Sequence, residues 1–344
     1  GSICRRGRQL PELYLIGQQK AGTTSLASKL MAWGVVPALQ SSILERHPQF
    51  DTGEWHCWQA GGNCLFKERH FFDEWLRFGR PQGQGLLQSF LAELPPCSGP
   101  RPVLADFTPT NLHLTPMPDD SAQTATPCGH GARRLQGADV PKMLGEVYGA
   151  DGKRVTFLVS IREPLARMHS AYYHANATGF SSACSDCKAP SFVAALNATM
   201  EAAERGRPEY HDWLWISMVG YQLDWWSRHF APEQFVIVGF HDLIRPDGAA
   251  MTAICGQLNQ DLGVEWDCTA GMPAEHLNTN PHPSLQDEPL SAELRARVGR
   301  VLAGDKRRLN EVLASMQSRG AHLIGYKGAS GSLSEISSWL DHAW

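Results

Sequence analysis

The sequence predicts an α/β fold, a three-layer sandwich with a central, mainly parallel sheet flanked by helices. Four short apolar runs, near-continuous and rich in β-branched residues, suit strands buried on both faces. Between them, apolar residues recur at three and four spacing, as on the buried stripe of a helix. The third observation is a glycine-rich turn, "GQQKAGTT" at 17 to 24, placed where the first run passes into the first helix.

In chain order, the predicted strands are "LYLIG" at 13 to 17, "VLADF" at 103 to 107, "VTFLVSI" at 155 to 161 and "FVIVGF" at 235 to 240, each bounded by Gly, Pro or charge. Helical spacing covers Thr24 to Trp33, Val140 to Tyr148, Leu165 to Ala175, Phe192 to Glu204, Val219 to Phe230 and Ala249 to Leu262. A longer amphipathic helix spans Ser291 to Ser318 and carries "DKRR", Asp305 to Arg308, read as a solvated face. Strand alternating with helix predicts one domain with right-handed crossovers, placed at 11 to 327. Residues 1 to 10, opening on Gly1-Ser2, are set apart as a tag or linker remnant, and 328 to 344 as a tail. "PPCSGPRP" at 95 to 102 and the Pro-, Ser- and Gly-rich stretch 115 to 139 read as loops, the second long enough to border an acceptor cleft. Tyr221, Trp225 and Phe230 share helical spacing and are read as core, Trp226 with them. Trp213 and Trp215, beside Tyr210 and His211, are the better aromatic candidates for a sugar face.

Composition bounds the partners. The 344 residues carry Lys+Arg 31 against Asp+Glu 35, a formal charge of -4, so no global basic field advertises a nucleic acid polymer and any anion must be held locally. No run of 18 apolar residues marks a membrane span. Nine cysteines (Cys4, Cys57, Cys64, Cys97, Cys128, Cys184, Cys187, Cys255, Cys268) are many for a reduced compartment yet too scattered to read as a disulfide framework. "CSDC", Cys184 to Cys187, lacks a second pair at finger spacing and suggests a loop disulfide or free thiols rather than a metal. Sequons at Asn176 and Asn197 tilt the compartment toward the secretory lumen.

The turn at 17 to 24 offers backbone N–H groups and a helix end to a phosphate, which makes the predicted sandwich P-loop-like. A triphosphate-binding loop needs its lysine immediately after the last glycine, followed by Ser or Thr for magnesium. Here Lys20 precedes Gly22 by two residues, so it lies within the loop, while Thr23, Thr24 and Ser25 start the helix. A second element is "VSIREPLARMHSAYYH": Arg162 ends a strand, Pro164 suits a first helical turn, and Ser170 follows two turns in. Guanidinium and hydroxyl together suit a second phosphate. Arg162 beside Glu163 also reads as a plain salt bridge.

GxxKxGTT followed by R-E-P-x-x-R-x-x-S-x-Y resembles the two cofactor signatures of sulfotransferases that use 3'-phosphoadenosine 5'-phosphosulfate (PAPS). The resemblance runs through "KERHFFDEW" (67 to 75), "ADFTPTNL" (105 to 112) and "VGYQLDWWSRHFAPEQFVIVGFHDL" (219 to 243), and covers most of Leu13 to Met316. Those segments are similar to the Golgi carbohydrate branch, particularly the N-acetylgalactosamine 4-sulfate 6-O-sulfotransferases, and more distantly to the heparan sulfate 3-O-sulfotransferases.

The resemblance implies roles. Gly17, Gln18, Gln19, Lys20, Ala21, Gly22, Thr23, Thr24 and Ser25 would hold the 5'-phosphosulfate, with Lys20 stabilising charge on the bridging oxygen. Arg162 and Ser170 would bind the 3'-phosphate. Glu68 matches the proposed catalytic base and His70 its active-site neighbour; on an extended chain the two point to one side. Lys67, Arg69, Asp106 and Thr108 are the substrate-side candidates. Phe71 and Phe72 read as core. In the heparan branch a lysine stands where this chain has Phe107, and its cysteine-flanked lysine-rich loop is missing; "GYKGASG" at 325 to 331, with Lys327, is a loose substitute on the adenosine side.

Sulfuryl transfer of this kind is an in-line displacement that needs no metal, and the sequence shows no metal-ligand cluster. The implied enzyme is an O-sulfotransferase acting on a glycosaminoglycan-like carbohydrate in the Golgi lumen, as a type II membrane protein whose anchor lies outside these residues. A sulfated polysaccharide requires a basic groove, for which Lys67, Arg69, Arg77, Arg80, Arg133 and Arg134 are the candidates. A small alcohol, lipid or secondary metabolite is the alternative acceptor. A nucleotide kinase and a non-catalytic nucleotide binder are the alternatives of another class.

Overall fold

The structure, a computed structural model, describes residues 2–38, 69, 71–72, 85–92, 94–97, 102–116, 139–178, 189–205, 213–269 and 283–325. In chain order these form β1 (Cys4–Arg5), β2 (Arg8–Gln9), β3 (Leu13–Gly17), α1 (Thr23–Ala32), β4 (Val36–Pro37), α2 (Leu86–Ala92) and β5 (Leu104–Asp106). A 3-10 turn at Asn111–His113 and α3 (Val140–Tyr148) lead to β6 (Thr156–Ile161), followed by α4 (Pro164–Thr178), α5 (Phe192–Glu204), α6 (Trp213–Ser217) and α7 (Val219–His229). The chain closes with β7 (Phe235–Gly239), α8 (Phe240–Leu243), α9 (Ala249–Leu262), α10 (Ala292–Ser318) and β8 (His322–Ile324).

Six strands form one parallel sheet in the order β4-β5-β3-β6-β7-β8. Alternation along each strand divides its apolar residues between two cores. Tyr14, Ile16, Phe157, Val159, Phe235 and Ile237 face a core closed by α2, α3, α7 and α10. Leu13, Leu15, Leu158, Val236 and Val238 face the opposite core, closed by α1 and α9. Both faces are covered, which is why these strands read as continuous apolar runs. The three-layer α/β architecture predicted from the sequence is the one observed. A third cluster, built on Leu165, Met168, Phe192, Leu196, Leu294 and Val298, joins α4, α5 and α10.

Local chemistry sets several helix starts. Asp139 accepts a hydrogen bond from Lys142 N, Ser191 from Ala194 N and Ser291 from Leu294 N, each satisfying an N–H with no partner inside its helix. Asp305 does this for another element. Buried in the middle of α10, it accepts from Gly220 N (3.2 Å) and Tyr221 N (2.9 Å) at the start of α7. The "DKRR" segment is therefore not a wholly solvated face: Asp305 points inward and Arg308 pairs with Asp224 of α7 at 2.7 Å.

Two further expectations change. The first ten residues are folded in, as Ile3 and Leu10 lie in the core, β1 pairs with β2, and Cys4 is disulfide-bonded to Cys97. The "PPCSGPRP" loop is held to the same hairpin, Gln9 N donating to Pro95 O and Cys97 N to Gly7 O. Cysteines do pair: Cys255–Cys268 is a second disulfide, while "CSDC" and most of 115 to 139 lie outside the described residues. Among the described residues, no helix is long and apolar enough to cross a membrane.

Candidate active site

Chain order sets where a ligand would bind. From β3 the chain passes to β4 and β5 on one side of it, then crosses to β6, β7 and β8 on the other. The order therefore reverses between β3 and β6, and the crevice beyond the carboxyl ends of those strands is the usual ligand position in such sheets. The loop after β3 carries Lys20, and the residue after β6 is Arg162.

The loop is held from four sides. Gln18, 1% exposed, donates from N to Ser160 O (2.8 Å) and from Nε2 to Ile216 O (3.0 Å), and its Oε1 accepts from Arg162 N (3.1 Å). Its side chain thus braces the loop from within the protein. Ser160 Oγ donates to Ala21 O, and Ala21 N to Gln18 O. Gln19 O accepts from Arg167 Nη1 at 3.5 Å. Lys20, half-buried, has a left-handed φ of 71°, which turns the chain toward Gly22. Gly22 caps α1 at φ 79°, where a Cβ would lie 3.1 Å from two ring carbons of Phe240. A Cβ on Gly17 would lie 2.7 Å from Leu112 Cβ and 3.0 Å from Pro109 O, so the "ADFTPTNL" segment runs against the loop's entrance. Thr23 is buried and Thr24 and Ser25 are half-buried in the first turn of α1, whose N–H groups precede the first i−4 acceptor.

Arg162 Nη1 donates to Lys20 O at 2.9 Å, and its guanidinium lies 4.4 Å over the Phe240 ring. Burial lowers its pKa to about 10, with Glu163 opposing; it remains a cation at neutral pH. Glu163 does not form the salt bridge the sequence allowed. Its carboxylate accepts from Leu165 N (2.8 Å) and Ala166 N (2.6 Å), capping α4, and burial raises its pKa. Glu163 is thus turned to the start of α4. Ser170, two turns into α4, is 9% exposed.

Two contributors escaped sequence reasoning. Arg167, fully buried, donates to Ser217 Oγ (2.6 Å) and Trp213 O (2.7 Å) as well as to Gln19 O, tying the loop to α6. Its place in the R-E-P-x-x-R string was the available signal. Phe240 stacks against Arg162 and fills the space beside Gly22; its position just after β7 was the signal there.

Of the substrate-side candidates, Arg69, Asp106 and Thr108 lie among the described residues. Arg69 is 3% exposed: its N donates to Thr108 Oγ1 (3.0 Å), Nη2 donates to Phe90 O (2.8 Å), and its guanidinium lies 4.0 Å over Phe90. These bonds link the segment after β5 to α2. Asp106, 1% exposed, accepts from Thr108 N (2.9 Å) and helps raise the pKa of buried Tyr14, after desolvation. Thr108 is fully buried. Phe71 and Phe72 pack in the core, as expected. Trp226 is core; Trp225 is half-buried and donates to Asp139 Oδ1 (3.0 Å). Trp215 is fully buried, donating to His113 O, and offers no sugar face; Trp213 stands edge-on to Tyr172. Asn197 sits inside α5 with Nδ2 donating to Val193 O and Oδ1 accepting from Arg297, and Thr199 is buried, so that sequon is engaged by the fold. Asn176 is exposed near the end of α4. Glu68, His70, Lys67, Lys327, Arg77, Arg80, Arg133 and Arg134 lie outside the described residues.

No protein-family profile matches the chain, and neither does any curated protein. Among solved structures, the chain is similar to the crystal structure of a sulfotransferase from Alicyclobacillus acidocaldarius, with 15% sequence identity and a TM-score of 0.45, over 92% of this chain and 100% of that one.

Proposed function

We propose that this chain is a PAPS-dependent O-sulfotransferase, moving a sulfuryl group to a hydroxyl of an acceptor. One observation carries the reading: the reversal point of the sheet brings Lys20, within a tight strand-to-helix loop, against Arg162 from a segment 142 residues away. Two cations and a helix start suit a ligand with two separate phosphates. When bound, PAPS supplies the sulfuryl group and a phosphate leaving group.

The residues then divide the work. Lys20, with the start of α1 at Thr23, Thr24 and Ser25, holds the 5'-phosphosulfate and stabilises negative charge developing on the bridging oxygen. Arg162 and Ser170 hold the 3'-phosphate. Phe240, beside both Gly22 and Arg162, offers a face for the purine. Gln18 and Arg167 fix the loop, so that the donors need little reorganisation as charge develops. Glu68 is assigned as the base that takes the acceptor proton, with His70 beside it. No step assigned to these residues calls for a metal.

The acceptor is read as a carbohydrate hydroxyl, on the similarity of the segments around Glu68 and Asp106. Burial of Arg69, Asp106 and Thr108 supports a second reading, a smaller and less anionic acceptor. The two disulfides support an oxidising compartment such as the Golgi lumen.

Calorimetry with adenosine 3',5'-bisphosphate against ATP and magnesium tests the cofactor. Tight binding of the bisphosphate and weak binding of ATP is expected; the reverse would return the chain to the kinase reading. Transfer of labelled sulfate to a panel of desulfated glycans and small alcohols identifies the acceptor. A bisphosphate binder with no transfer to any of them would be the non-catalytic alternative.

A further inference from the structure

Beside the nucleotide crevice, and sharing Arg162 with it, lies a cavity of about 510 Å³ whose other lining residues have no part in the proposed chemistry. That volume falls among small-molecule sites. Its floor is apolar, with Ile161 of β6, Pro164 of α4, Val219 of α7 and Leu302 of α10. The opening exists because α10 presents Gly299 and Ala303, four residues apart, on the face that meets those elements. One turn on, the same face carries Lys306 and the exposed Arg307. Arg162 borders the cavity from the sheet side. The acidic lining residue is Asp305, whose carboxylate oxygens already accept from Gly220 N and Tyr221 N.

We infer that this cavity binds an amphiphilic anion: an aliphatic or aromatic body against Ile161, Pro164, Val219 and Leu302, and an acidic head at Lys306 and Arg307. Apolar walls favour the body by removing its surface from water, and two adjacent cations at the mouth select a charged head over a neutral one. The site is separate from the loop at Lys20. Because Arg162 borders the cavity and also donates to Lys20 O, an occupant adjoins the residue that links the two places.

Decanoate is a suitable probe, read by calorimetry on the whole chain without nucleotide, so the result does not depend on the sulfotransferase reading. It is expected to bind with a Kd on the order of 0.1 mM, and decanol about tenfold more weakly. Ala303→Trp, which fills the cavity, should abolish binding. Lys306→Gln with Arg307→Gln changes side chains at the mouth without filling the interior, and should weaken decanoate about tenfold while leaving decanol unchanged. Equal binding of decanoate and decanol, or a decanoate constant unchanged by the double variant, would overturn the proposal. So would undiminished binding to a folded Ala303→Trp protein.

Discussion

Arg162 and Lys20 were legible in the sequence because each stands at a fixed offset from a strand end, and strand ends are what apolar runs mark best. What surrounds them was not legible. Glu163 next to an arginine is an ion pair on paper, yet two N–H groups at the start of α4 claim its carboxylate. Arg167 binds partners 50, 46 and 148 residues away, a set no local pattern announces. Arg162→Ala should weaken adenosine 3',5'-bisphosphate binding at least about tenfold, the scale of a lost charge-assisted contact, as measured by calorimetry. Lys20→Ala should abolish sulfuryl transfer while leaving the fold intact; unchanged turnover would remove its assigned role. Arg167→Ala should cost about 2–4 kcal/mol in urea unfolding, because Trp213 O and Gln19 O lose a buried charged donor.

At the scale of elements, the start of α7 is capped from the middle of α10, by Asp305. Gly220 lies so close to α10 that a Cβ there would stand 2.4 Å from Asp305 O and 2.6 Å from Leu309 N. Both are backbone atoms and cannot swing aside. Gly220→Ala should therefore destabilise the protein by about 2–4 kcal/mol, seen as a lower urea midpoint. Asp305 adds a pH dependence. Burial raises its pKa from 3.8 to about 7, against the N–H groups of Tyr221 and Gly220 and the charge of Arg308, which favour the carboxylate. Folding thus disfavours the charged form overall, so this group's contribution to stability declines as pH rises from about 4 through about 7. Asp305→Asn removes that titration, and stability measured across pH 4 to 8 should fall less steeply than in the parent. The bounds of α3, α5 and α9 were readable from spacing alone, since each buries one face. The two-residue strands β1, β2 and β4 carry too little pattern to be read, and α6 is a single buried turn that only packing reveals.

For the whole molecule, the parallel sheet with both faces covered followed from the apolar runs, whereas the treatment of its edges did not. Residues before β3 looked dispensable, yet Cys4 is joined to Cys97 across 93 residues, and Ile3 and Leu10, which flank the β1–β2 hairpin, lie in the core. Replacing both cysteines by serine should cost about 2–5 kcal/mol, measured by denaturant unfolding against the oxidised parent. A loss confined to that hairpin, with the global transition unmoved, would show the pair to be local.

The sequence by itself determined the fold class, the order of its main strands and helices, and the two cations that mark the crevice, because hydrophobic period and loop chemistry are written over a few consecutive residues. Tertiary structure alone decided which charged and aromatic side chains are inside. Arg69, Asp106, Trp215 and Asp305 look like surface or ligand residues along the chain. Arg69, Trp215 and Asp305 find partners in distant backbone carbonyls, amides, a hydroxyl and an aromatic ring, and those partners are fixed only when the sheet closes on its helices.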